Sequence, residues 1–162
     1  MQISSQDIRQ KFKQHRLKVT PQRTAIYKAL AETTLHPTAD DLYQKVLKDY
    51  PMISPNTVYY TLSTLKDVGL VKEVNYWHDR ARFDANVTPH HHLICLDCRA
   101  IFDIEDRSLN QIRQKAKIPK DFQVLSHQVE FYGYCAPCQK AQARHPSSSS
   151  RHSHIQSTRR KP

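Results

Sequence analysis

The stretch RFDANVTPHHHLICLDC, residues 82–98, marks the boundary between two halves of the chain. It closes a predicted β-hairpin and opens a second unit that is rich in potential metal ligands. Carboxylate, imidazole and thiolate groups are the ligand types that proteins offer to transition metals. The stretch therefore predicts metal binding where the two halves meet. Its candidate ligands are Asp84, His90, His91, His92, Cys95 and Cys98.

A second cysteine pair, Cys135 and Cys138, follows Cys98 after 36 intervening residues. Two CxxC pairs match a closed tetrahedral zinc site of four thiolates. The gap between the pairs exceeds the ~15–20 residues of a zinc ribbon, so we expect the zinc to clamp two distant strands. A redox dithiol or buried free cysteines would not require two such pairs in one small unit.

The histidine run predicts a second metal site of different chemistry. In an extended segment His90 and His92 point to the same face, and His91 points away. Asp84 precedes them, and Asp103 follows the first cysteine pair. Two or three imidazoles with two carboxylates form a nitrogen and oxygen site that suits Fe(II), Mn(II) or Zn(II).

The N-terminal half predicts four short helices and a hairpin. The first helix covers about 5–15, and the others begin after capping residues at Thr20, Thr38 and Ser54. A hairpin over 69–84 follows. Helices followed by a hairpin indicate a winged helix-turn-helix domain in which the last helix reads DNA and the hairpin is the wing.

The fourth helix has one apolar face and one polar, nearly uncharged face. Its polar face suits base edges in a major groove, whereas an ordinary exposed face would carry more Lys and Glu. The alternative is a tyrosine pair that packs on a neighbouring strand. The apolar face is formed by Val58, Leu62 and Leu65. The side chains expected to contact DNA are Lys18, Asn56, Thr57, Tyr59 and Tyr60.

The C-terminal half reads as a small α/β unit. We predict strands at 92–95 and 100–103, a helix through Leu109, Ile112 and Ala116, and a long strand over 122–134. Such a unit is too small to bury a good core alone. We therefore expect zinc and a partner subunit to complete it. The predicted class is α+β, with a winged helix-turn-helix domain before a small α/β dimerisation domain that holds structural zinc.

Composition divides the chain into three parts. The DNA-binding domain covers 1–84, the metal-binding and dimerisation domain covers 85–138, and a disordered basic tail covers 139–162. The net charge is +10, of which the tail carries +6 and the first 20 residues +4. A basic edge suits phosphate contact and also solubility. The sequence shows neither an apolar run of membrane-spanning length nor a secretory signal, so we expect a cytoplasmic protein that does not bind membranes.

Several segments together resemble the Fur family of metalloregulators, and most closely its peroxide-sensing PerR branch. The resemblance covers roughly residues 8–140. The segments that carry it are LKVTPQRTAIYKAL at 17–30, HPTADDLY at 36–43, SPNTVYYTLSTLKDVGLV at 54–71, RFD at 82–84, HHHLICLDC at 90–98 and YGYCAPC at 132–138.

The resemblance implies two metal sites and a mechanism. The four cysteines would hold structural Zn²⁺, and a regulatory Fe²⁺ or Mn²⁺ would tie the two domains together. The metal would fix a homodimer in a closed shape that matches a palindromic operator in double-stranded DNA. The regulatory ligands implied are His36, Asp84, His90, His92 and Asp103.

The PerR-like branch also implies a peroxide response. Iron-dependent oxidation of His36 or His90 would release the metal and the operator. Because each molecule reacts once, we expect a regulator rather than an enzyme, with peroxide as its one small-molecule reactant. A further family site is not expected, because His91 and Asn110 stand where that site has acidic residues, although His127 of its pattern is present.

Three other functions compete with peroxide sensing. An iron- or manganese-availability repressor would use the same ligands without histidine oxidation. A zinc hydrolase or deaminase is less favoured, because the sequence lacks HExxH and the deaminase H-x-E before P-C-x-x-C. An RNA-binding zinc module would not require His36, Asp84 or Asp103.

Overall fold

The first four helices begin at side-chain caps, three of which, at Thr20, Thr38 and Ser54, are predicted from the sequence. A computed structural model describes residues 3–74, 81–112 and 116–144. The hydroxyls of Ser4, Thr20, Thr38 and Ser54 each accept a hydrogen bond from the backbone N–H three residues on. These caps fix where each helix starts. The helices are α1 (Ser5–Gln14), α2 (Pro21–Ala31), α3 (Ala39–Leu47) and α4 (Pro55–Asp67).

The apolar faces of these helices form one core. Val58, Leu62 and Leu65 of α4 are fully buried, which confirms the predicted inner face. The rings of Phe12 and Tyr27 meet edge to face with centroids 5.5 Å apart, so α1 packs directly on α2. The core therefore holds α4 rigidly while its opposite face remains exposed.

Gly69 turns the chain out of α4 and into the wing. Its φ of +74° is a left-handed conformation that glycine adopts without a side-chain clash. The Gly69 and Leu70 N–H groups donate to the carbonyls of Lys66 and Leu65, which closes the helix end. Strands β1 (Lys72–Val74) and β2 (Arg82–Asp84) then pair in antiparallel fashion. This confirms the winged helix-turn-helix order; the predicted turn at 77–80 lies outside the described residues.

The loop before α3 pairs with the wing. The Phe83 N–H donates to the Pro37 carbonyl at 3.0 Å, and Thr38 forms a bridge with Arg82. The Arg82 guanidinium also donates to the His36 carbonyl at 3.2 Å. His36 has a φ of +48°, which is costly for a residue other than glycine. These contacts hold His36 and the end of β2 as one piece.

The C-terminal half contains a three-stranded sheet in the order β4-β3-β5. Strand β3 pairs antiparallel with β4 and parallel with β5, so it is the central strand. This arrangement places the ends of β3 and β5 side by side. The elements are β3 (His91–Cys95), β4 (Ile101–Ile104), α5 (Arg107–Asn110), β5 (Glu130–Gly133) and α6 (Ala136–Arg144).

Three predicted boundaries in this half differ from the structure. The long strand predicted over 122–134 is only Glu130–Gly133, because β5 pairs with β3 over His92–Cys95 alone. Of the predicted helix, α5 ends at Asn110, the Ala116 N–H donates to the Ile112 carbonyl at 3.1 Å as in a helical turn, and 113–115 lie outside the described residues. Residues 139–144 belong to α6 rather than to a disordered tail. The rest of the predicted tail, 145–162, lies outside the described residues.

None of the described helices has the length and apolar content needed to cross a membrane.

Candidate metal centres

The four cysteines converge where β3 and β5 end. Their sulfur atoms all lie within 4.8 Å of one another, and none of them forms a disulfide. The Cys98 and Cys135 sulfurs are 3.6 Å apart. Four sulfurs at about 2.3 Å from a tetrahedral zinc ion would lie about 3.8 Å from each other. The cluster therefore has the size and the donor set of a zinc site that clamps two distant strands.

Backbone donors favour thiolate at this cluster. Burial raises the pKa of Cys95, but N–H groups of Cys135, Cys98 and Asp97 outweigh burial and lower it to about 6. The pKa of Cys138 is raised by its contact with Cys135 and by burial. Thiolates packed this closely repel one another, so a cation is needed to hold all four in the ionised form.

A second cluster forms between the wing and the central sheet. One ligand atom each from His36, His90, His92 and Asp103 lies within 4.8 Å of the other three. Asp103 Oδ1 lies 3.1 Å from His36 Nε2, 3.5 Å from His90 Nε2 and 3.6 Å from His92 Nε2. Asp84 joins the cluster through its Oδ2, which is 3.1 Å from His90 Nε2 and 3.7 Å from His36 Nε2.

The hydrogen bonding around the second cluster fits a metal ion. The Thr88 carbonyl lies 2.9 Å from His90 Nδ1 and can only accept a hydrogen bond, so it fixes the proton on Nδ1. His90 Nε2 then presents a lone pair to the cluster. Within the described residues, the buried atoms His36 Nε2, Asp84 Oδ2 and His90 Nε2 have no hydrogen-bond partner. A divalent cation would satisfy all three atoms.

The charges of the cluster also favour a cation. Burial raises the pKa of Asp103, and Asp84 adds to the rise, although His36 and His90 oppose it. Burial, followed by the fields of His36 and His90, lowers the pKa of His92 to about 4. Imidazoles beside the buried Asp84 and the partly exposed Asp103 provide the nitrogen and oxygen donor set of Fe(II), Mn(II) or Zn(II).

His91 lies on the opposite face of β3, as predicted. It is fully buried, and its Nδ1 accepts a hydrogen bond from the Val129 N–H at 3.1 Å. Its Nε2 therefore carries the proton and donates to Asn110 Oδ1 at 3.1 Å. The His127 ring lies 5.9 Å away, with Nε2 donating to the Leu109 carbonyl at 3.0 Å. Both nitrogens of His91 are thus engaged by protein groups.

Some of the residues predicted to contact DNA are exposed, and others already form hydrogen bonds within the protein. Lys18, Asn56 and Tyr60 are exposed, the last at 69%. Thr57 is half-buried, and its N–H donates to the Ser54 cap. The Tyr59 hydroxyl donates to Asp40 of α3 at 3.1 Å, while its side chain stays 51% exposed. The two tyrosines therefore do not form a pair packed on a strand.

Three residues that support the second cluster were not predicted from the sequence. The Arg82 guanidinium and the Thr88 carbonyl hold His36 and His90, and the Gln128 amide lies 2.8 Å from His92 Nδ1. Thr88 sits two residues before His90, so a local turn could have suggested it. The contacts of Arg82 and Gln128 join residues 46 and 36 positions apart and have no local sequence signal.

Comparisons with known proteins agree with this fold. The chain is 42% identical over 128 residues to the peroxide-responsive repressor PerR of Staphylococcus aureus, which covers 79% of this chain and 86% of the relative. A Campylobacter jejuni peroxide stress regulator superposes with a TM-score of 0.64 at 30% identity, covering 82% of this chain and 97% of that one. The Vibrio cholerae ferric uptake regulator gives 0.68 at 29% identity, covering 80% and 100%. The ferric uptake regulator family model matches residues 14–132, and the chain belongs to that family.

Proposed function

We propose that this chain is a metal-dependent transcriptional repressor that binds DNA in the cytoplasm and responds to hydrogen peroxide. The observation that carries the proposal is the cluster of three buried histidines with two aspartates between the wing and the central sheet. The 42% identity to a peroxide-responsive repressor supports the sensing role. The proposed regulatory ligands are His36, Asp84, His90, His92 and Asp103.

The two sides of the cluster belong to different halves of the chain. His36 and Asp84 are held by the winged-helix half, and His90, His92 and Asp103 belong to the sheet half. A cation shared by these groups would fix the angle between the halves. In a dimer, that angle sets the distance between the two α4 helices, which must match two half-sites of a palindromic operator.

A homodimer is supported by an apolar row across the outer face of the sheet. Leu93 of β3 lies directly opposite Phe102 of β4 and Phe131 of β5. These side chains remain 44%, 43% and 46% exposed. Contiguous apolar residues on a sheet face usually mark an association surface. We propose that a second copy of the chain covers this row and that zinc at the four cysteines holds the strands that form it.

DNA recognition is proposed for the exposed face of α4. Asn56 and Tyr60 would reach base edges, and Lys18 would contact a phosphate. Thr57 and Tyr59, also expected to contact DNA, already donate to Ser54 and Asp40. These hydrogen bonds would help to orient α4, in addition to any contact that the two residues make with the operator.

The peroxide response would come from the imidazoles themselves. When bound, Fe(II) supplies the redox chemistry that activates peroxide beside them. In the net reaction a ring carbon of His36 or His90 gains one oxygen atom, and the other peroxide oxygen leaves as water. An oxidised imidazole is a poorer ligand, so the halves of the chain separate and the operator is released. Each molecule is consumed once, which distinguishes the protein from an enzyme.

Mass spectrometry tests this proposal directly. Protein loaded with Fe(II) or with Mn(II) is exposed to a low dose of peroxide, and peptides containing His36 or His90 are compared. We expect one added oxygen on either histidine in the iron form only, together with loss of operator binding. Unmodified histidines in protein shown to contain iron would instead support an iron- or manganese-availability repressor with the same ligands.

A further inference from the structure

The two histidines that β3 and its leading turn contribute to the cluster are supported by groups of different chemistry. His90 Nδ1 faces the Thr88 carbonyl, which only accepts hydrogen bonds. His92 Nδ1 lies 2.8 Å from the side-chain nitrogen of Gln128, whose amide can donate through this nitrogen or, turned over, accept through its oxygen. The Val129 carbonyl accepts from the His92 N–H, and this register places Gln128 beside the ring.

We propose that Gln128 is a positioning residue that holds His92 in the tautomer able to bind the regulatory metal. The inference rests on the proposed function, in which His92 Nε2 is a ligand. A neutral imidazole bound through Nε2 carries its proton on Nδ1 and needs an acceptor there. The Gln128 oxygen is that acceptor when the amide is turned towards the ring.

The Gln128 amide can support the His92 ring through either its nitrogen or its oxygen. Its nitrogen lies 3.5 Å from Glu130 Oε1, which is the upper limit for a hydrogen bond, and the other Glu130 oxygen already accepts from the Tyr132 hydroxyl. Because a half-turn of the amide exchanges its nitrogen and oxygen, Gln128 can donate to Nδ1 when Nε2 carries the proton and accept from Nδ1 when Nε2 binds a metal. The same side chain supports the ring in both states.

The test measures Mn(II) affinity by chelator competition in zinc-containing, full-length protein. Gln128→Met keeps the side-chain length and removes the hydrogen bond, so we expect affinity to fall about 10- to 100-fold, as for other outer partners of metal-bound histidines. Gln128→Glu keeps an acceptor and should bind at least as tightly as the original chain. Gln123→Met changes an exposed glutamine of the same segment and should have no effect.

A second readout follows the proton itself. With zinc in both sites, we expect the His92 Nδ1–H to exchange slowly by NMR in the original chain and rapidly in Gln128→Met. Because Gln128 is exposed, the urea midpoint without regulatory metal should not change in either variant.

The outcomes separate this inference from the proposed function. If His92→Ala loses Mn(II) binding but Gln128→Met binds within about twofold of the original chain, His92 remains a ligand and the role of Gln128 is wrong. Equal losses in Gln128→Met and Gln128→Glu would also overturn it, since the shape of the side chain would then matter and its acceptor would not. If His92→Ala itself binds normally, the proposed ligand set fails.

Discussion

Replacing His91 by alanine should damage the fold and spare the metal site, although the residue lies between two proposed ligands. The Val129 N–H would lose its acceptor in a part-buried setting, which costs about 1–3 kcal/mol. Loss of the fully buried imidazole adds about 1–2 kcal/mol. Asn110 is exposed and can bond to water instead, so its contribution is small. The expected loss of unfolding free energy is about 3 kcal/mol.

Urea unfolding of zinc-containing protein measures this loss. With a slope of roughly 1.5 kcal/mol per molar urea, the midpoint should fall by about 2 M. His90→Ala and His92→Ala are the matched controls, because each changes a buried histidine in the same run. They should abolish tight Mn(II) binding, whereas His91→Ala should retain it at low urea and low temperature.

The opposite pattern would refute the reasoning. If His91→Ala kept its urea midpoint and lost Mn(II) affinity, His91 would belong to the metal site and its hydrogen bonds to Val129 and Asn110 would contribute nothing to stability. Equal losses of Mn(II) affinity in all three variants would show that all three histidines serve the metal site. That result would contradict the placement of His91 on the opposite face of β3.

Three further outcomes follow from the same structure. Replacing Cys135 by serine should remove the structural zinc, measured by elemental analysis, and unfold the sheet half; a folded variant with one zinc per chain would contradict the four-thiolate site. Burial, His36 and His90 lower the pKa of His92 to about 4, so the folded state binds this proton less readily than the unfolded chain does. Metal-free stability should therefore be full above about pH 6.5 and fall as the pH drops towards 4, with a shallower decline in His92→Ala; a pH-independent urea midpoint would contradict this. Lys18→Ala should weaken operator and random DNA alike and reduce the salt slope by about one per protomer, whereas Tyr60→Ala should weaken the operator more than random DNA.

Local signals predicted the N-terminal half well. The caps before Pro21 and Pro55 act within a few residues, so the sequence alone locates the starts of these helices. The alternation of β3 likewise assigned His90 and His92 to one face and His91 to the other. Each of these features depends on backbone geometry that neighbouring residues control.

Contacts between distant segments were less predictable. The apolar alternation of 122–129 suggested a strand, but a strand forms only where a neighbour pairs with it, and β3 pairs with β5 at 130–133 alone. Gln128 and Arg82 resemble ordinary polar residues until the fold brings them to His92 and His36. Without the resemblance to the family, His36 would also have been one histidine among ten.

The pairing of the His36 loop with the wing makes the proposed metal site a bivalent system. One group of ligands, His36 with Asp84, is joined to the other group, His90, His92 and Asp103, by the short tether 85–89. Metal capture then depends on an effective concentration that the tether sets, as well as on the ligands. Doubling the length of the tether would raise the entropic cost of bringing the two groups together by about 0.6 kcal/mol, which lowers the metal affinity about threefold. The metal concentration at which such a repressor responds could thus be tuned without changing any ligand.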